Sequence, residues 1–126
     1  MLKKTISYTD YNGVEQKEEH YFNFNKAEMM DMQMSFHGGF AQKVESIIKA
    51  KNDEEIYALF KDIILKSYGV KSEDGKRFVK SDELRKAFEQ SEAFSELIFE
   101  LCTNANSASE FVNGIIPFDM KRLVAN

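Results

Sequence analysis

The 126 residues include a single cysteine, Cys102, a single proline, Pro117, and two histidines, His20 and His37. One cysteine cannot close an internal disulfide, which suits a reducing cytosol. No stretch approaches the ~18 consecutive apolar residues that a membrane-spanning helix needs. The opening Met1–Ile6 has no apolar core of signal-peptide length, so the protein is expected to stay where it is made. Positive charge is not in excess: 17 Lys and Arg face 21 Asp and Glu, for a net charge of −4. The cations are scattered from Lys3 to Arg122, so the field that draws nucleic acid is missing. Neither a nucleic-acid partner nor a membrane partner is expected.

The residues for chemistry are equally sparse. Cys102 and the two distant histidines do not have metal-ligand spacing. Cys102 follows Leu97, Ile98 and Leu101 at helical spacing, where a buried, inert thiol is expected. Gly38-Gly39 lacks both the preceding strand and the Lys-Ser/Thr of a phosphate-binding loop, and reads as a break between helices. The acidic run Asp53-Glu54-Glu55 is explained by the positive end of a helix dipole. Ser72-Glu73-Asp74-Gly75 is too short for a calcium loop. The expectation is no catalytic residue, no metal, no cofactor and no enzyme activity.

Large apolar side chains are plentiful. Eleven Phe and five Tyr supply a core, and a chain of this length needs no metal or disulfide to fold. Residues 3–24 are rich in β-branched and aromatic types, and Asn12-Gly13 divides them as a tight hairpin turn would. Tyr8, Tyr11 and Tyr21 are expected to pair across that hairpin. From residue 25 the apolar spacing turns helical. Asn25 with Glu28, Asn52 with Glu55, and Ser107 with Glu110 read as capping boxes, and Ser81 as a further cap. Tyr68-Gly69 reads as a glycine-terminated helix end. Residues 70–80, centred on Asp74-Gly75, form either a small hairpin or a structured loop. A break is expected near Gln90-Ser91, and Pro117 limits the last helix. The fold class expected is mainly α with a small N-terminal β-hairpin, an α+β chain with five or six short helices in one compact domain. That domain spans 1–117, with the hairpin over 3–24, the helical part over 25–116, and a C-terminal tail over 118–126. There is no βαβ alternation, so a doubly wound nucleotide fold is not expected.

Four methionines crowd one helix: Met29, Met30, Met32 and Met34. One helix face cannot hold all four, so part of this flexible, polarizable surface is free to meet varied apolar partners. The candidate partner surface is Met29, Met30, Met32, Met34, Phe36 and Phe40, with Phe94, Ile98 and Phe99 as a second choice.

Several longer stretches resemble a known family. They are Phe60-Lys-Asp-Ile-Ile-Leu-Lys-Ser-Tyr-Gly69, Lys71-Ser-Glu-Asp-Gly-Lys-Arg-Phe-Val-Lys80, Phe88-Glu-Gln-Ser-Glu-Ala-Phe-Ser-Glu-Leu97 and Glu110-Phe-Val-Asn-Gly-Ile-Ile-Pro117. The openings Tyr8-Thr-Asp-Tyr-Asn-Gly13 and Phe22-Asn-Phe-Asn-Lys-Ala-Glu28 fit the same pattern. Together they resemble the tail assembly chaperones of long-tailed, siphovirus-type phages and prophages of Gram-positive bacteria. Phe118–Asn126 carries no such likeness. The resemblance implies a protein of the infected host's cytoplasm, absent from the mature virion. It implies binding to the tape measure protein, which is kept soluble, and recruitment of tail tube subunits, in many members through a longer frameshifted form. Self-association along the tape measure protein is expected from the avidity of repeated contacts. The family carries no residue-level site to transfer. A structural tail or head–tail connector protein, and a small regulator that binds a host factor, are the alternatives.

Overall fold

The computed structural model describes residues 1–35 and 38–117. Strands β1 (Leu2–Thr9) and β2 (Glu15–Phe22) are followed by helices α1 (Lys26–Ser35), α2 (Phe40–Ala50) and α3 (Asp53–Ser67). The short strands β3 (Tyr68–Lys71) and β4 (Phe78–Val79) come next, then α4 (Asp82–Glu89), α5 (Glu92–Thr103) and α6 (Ala105–Ile115). The expected α+β class, with an N-terminal hairpin and six helices among the described residues, is what forms.

β1 and β2 pair antiparallel without a bulge, from Leu2↔Phe22 to Thr9↔Glu15. The turn is wider than a two-residue primed turn. Asp10 N–H donates to the Val14 carbonyl at 2.9 Å, and the Asp10 carboxylate accepts from the Asn12 and Val14 amides. Gly13 supplies the positive φ of 77° that this loop requires. The tyrosines do not face one another across the hairpin: Tyr8 lies opposite Gln16, and Tyr21 opposite Lys3.

Residues 68–79 form a hairpin and extend the sheet to four strands in the order β1-β2-β3-β4. Gly69 therefore does not cap α3. It is already in β3, opposite Tyr21. A Cβ there would lie 2.6 Å from the Phe78 ring and 2.9 Å from the Val79 carbonyl oxygen, so the close approach of β4 requires glycine.

One face of the sheet packs on the helices. β2 is polar along most of its length and becomes apolar only at Phe22, so burial rests on a few aromatic rings. Phe22 is fully enclosed, with Phe111 at 5.2 Å and Phe88 at 5.8 Å between ring centroids. Tyr68 stacks on Phe88 at 4.3 Å. His20 joins this cluster, 5.0 Å from Phe88, so it serves as a core-edge ring. Each fully buried Phe or Ile contributes roughly 1.5–3 kcal/mol. Ile63, Ile64, Leu97, Leu101 and Ile115 complete the core from α3, α5 and α6.

The strand exit is locked by polar contacts. Asn23 N–H donates to the Ser67 carbonyl at 2.8 Å, and Phe24 N–H donates to the Ile115 carbonyl at 2.9 Å. Asn25 and Glu28 form the expected reciprocal capping box, at 2.9 and 2.8 Å. Lys80 reaches the same place: its Nζ donates to the Asn23 carbonyl and to Glu28 Oε2, both at 2.7 Å, over the Phe24 ring. Ser81 and Ser91 cap α4 and α5, which puts the expected break at residues 90–91. Asn104, not Ser107, caps α6 and accepts from the Ser107 amide, because the helix starts one turn earlier than the Ser107–Glu110 pair suggests.

Candidate partner-binding surface

An apolar groove of about 520 Å³ lies between α2, α3, the end of α5 and α6. Each wall follows from helical spacing. Val44 and Ile48 line α2 four residues apart, and Ile56 and Phe60 do the same on α3. Ala105, Ala108, Ser109 and Val112 present small side chains along α6, which leaves the space open. Leu101, Cys102 and Thr103 close one end. None of the lining residues is charged. Ile48 is 46% exposed although its side chain is purely apolar. A hydrophobic groove between helices is the kind of surface into which an amphipathic helix lays its apolar face.

The wall formed by α2 is lightly held. Among the described residues its main packing partner is α3. The helix is bounded by residues with positive φ: Gly38 at 83° and Gly39 at 88° before it, and Lys51 at 53° after it. A non-glycine residue in that region is uncommon and marks a tight left-handed cap.

Cys102 is exposed at the rim of this groove, contrary to the burial expected from its neighbours. The core stripe of α5 runs through Phe94, Leu97, Ile98 and Leu101, and Cys102 falls on its open edge. Its apolar surroundings, then the nearby Asp53 carboxylate, push the thiol pKa up, so it stays protonated and weakly nucleophilic. Among the described residues no group of three or more His, Cys, Asp or Glu is placed to hold a metal ion. No helix among them is long and apolar enough to cross a membrane.

The candidate residues from the sequence divide sharply. Met30 and Met34 share one exposed line of α1, at 57% and 77% exposure. Met29 is fully buried, and Met32 is half-buried against the core. Phe40 is buried, and its backbone N–H donates to Gln33 Oε1. Phe94 and Ile98 are core residues, whereas Phe99 on the opposite side of α5 is 68% exposed. Phe36 lies outside the described residues, as does His37. Sequence spacing did not single out the groove residues Ile48, Ile56 and Val112. The available signal was the small-residue run Ala105-Ala108-Ser109 facing two apolar helix stripes.

The chain is a small α+β module with an open, uncharged groove. A model of the phage tail assembly chaperone family matches residues 1–126, the whole chain including the last nine residues. The chain belongs to that family. No curated protein and no solved structure matches it.

Proposed function

We propose that this protein is the tail assembly chaperone of a long-tailed, siphovirus-type phage or prophage of a Gram-positive host. In this reading it binds the tape measure protein, keeps it soluble and helps recruit tail tube subunits. It works in the host cytoplasm without covalent chemistry and leaves before the virion is complete. Residues 1–117 are the working domain.

The observation that carries the reading is the uncharged groove between α2, α3 and α6 in a chain of this family. A tape measure protein exposes long apolar helical stripes before the tube covers them, and such stripes associate with one another in water. An uncharged apolar groove can cover one face of such a helix reversibly. Met30 and Met34 add a second, adaptable apolar line.

The test is co-expression of the phage's tape measure protein with and without this chain. The soluble fraction is expected to rise with the chaperone present. Equal solubility of the tape measure protein alone would overturn the proposal. Mass spectrometry of purified virions is expected to find the chain absent; finding it at structural copy number would make it a tail or connector component.

A further inference from the structure

We propose that the free edge of β1 is the seam between two copies of this chain, joined antiparallel about a two-fold axis at Ile6. This gives a geometry to the self-association expected from the sequence, and it stands on the strand edge and its surroundings without needing the chaperone reading.

The Asp10 N–H bond to the Val14 carbonyl fixes which backbone groups face β2. Orientation alternates along a strand, so the even residues of β1 bond to β2 and the odd ones point away. Lys3, Thr5, Ser7 and Thr9 therefore turn their N–H and C=O groups outward. Among the described residues, none of these groups bonds to another part of the chain. Natural sheets usually protect such an edge with a bulge, a proline or charges along its length. β1 has neither a bulge nor a proline, and its two charges, Lys3 and Lys4, sit at one end.

A second copy satisfies all of these groups in one register. With Ile6 opposite Ile6, Lys3 pairs with Thr9 and Thr5 with Ser7, in both directions. The surrounding surface is self-complementary in the same register. Phe99, 68% exposed, lines a hollow beside Thr5, Ile6 and Ser7, so the two Phe99 rings come together beneath the axis. Glu96 borders Ser7, Tyr8 and Thr9 and has no ion-pair partner among the described residues. The same register puts Lys4 of the second copy, whose Nζ is held by its own Glu100 at 2.7 Å, opposite Tyr8 and beside that carboxylate.

The test is the mass in solution by sedimentation equilibrium. The wild-type chain is expected to approach twice 14.6 kDa as concentration rises. Ser7→Pro removes an outward N–H that β2 does not use, so it should leave the circular dichroism unchanged and give a monomer. Phe99→Ser should weaken the dimer at least about tenfold. A Thr5→Cys/Ser7→Cys variant in a Cys102→Ser background should form a covalent dimer on oxidation, because directly opposed residues lie within disulfide reach. Ser7→Cys alone should not. A wild-type chain that stays monomeric overturns the proposal, as does a dimer that neither Ser7→Pro nor Phe99→Ser weakens. If Ser7→Pro disturbs the fold, Phe99→Ser and the cross-link decide. A monomeric result would leave binding of the tape measure protein to be judged by the co-expression experiment.

Discussion

Replacing Lys80 with methionine keeps the length of the side chain and removes its charge. The Nζ donates two 2.7 Å hydrogen bonds, one to the Asn23 carbonyl and one to Glu28, and lies 5.0 Å from the centre of the Phe24 ring. The Lys80 side chain is only 11% exposed and that of Glu28 is 35% exposed. Burial lowers the Lys80 pKa, and the Glu28 carboxylate opposes that shift without cancelling it. Breaking a fully buried pair costs ~3–5 kcal/mol, but Glu28 regains part of its hydration here, so the expected loss is ~2–3 kcal/mol. For a chain of this length that corresponds to a fall of ~8–11 °C in Tm. Urea unfolding of Lys80→Met, Glu28→Gln and the double variant measures both the loss and the coupling between the two groups, expected at ~1–2 kcal/mol. A Lys80→Met protein within ~0.5 kcal/mol of wild type, as an ordinary surface substitution would be, would refute the locking role of this contact.

Gly69→Ala should cost ~1–3 kcal/mol in urea unfolding, because its Cβ meets the Val79 backbone oxygen as well as the Phe78 ring. Asn104→Ala should cost ~1 kcal/mol through loss of the α6 cap, while Ser107→Ala should cost little; the reverse order would restore Ser107 as the cap. The Tyr8 hydroxyl donates to Glu18, and this bond, with burial, raises its pKa from 10.0 to about 12. The folded chain thus holds a proton that the unfolded chain loses, so this contribution is complete below pH 10 and disappears as pH rises through 12. Stability measured across that window should fall less steeply in Tyr8→Phe than in wild type.

Local chemistry made most elements legible before the fold was known. The Asn25–Glu28 box, the Asn52 and Ser81 caps and the stop at Pro117 depend on neighbouring residues, and each marks an element boundary. The misreadings arise where distant chain segments decide. Gly69 follows a helix at the spacing of a C-cap, yet it serves a strand pair made with Tyr21, which is distant in sequence. Cys102 sits one position past a core stripe, and only the placement of α2 and α6 shows that this edge is open. The methionine cluster was half legible. Helical geometry requires that some of it be exposed, but which side faces the core depends on how α1 docks, and that docking buries Met29 and leaves Met30 and Met34 outside. The groove was least legible, since its three walls come from helices that are each ordinary in isolation.

Quantitative co-purification of the tape measure protein with three forms of this chain is the most direct test of the proposed function. The forms are wild type, the groove variant Ile48→Glu/Ser109→Glu and the methionine variant Met30→Glu/Met34→Glu. All four substituted residues are exposed, so the fold should be retained, as circular dichroism would show. Two carboxylates in an apolar groove face a desolvation cost when a partner covers them, and binding should fall by at least about tenfold. The methionine variant should lose less. Undiminished capture of the tape measure protein by the folded groove variant would contradict the assignment of this groove.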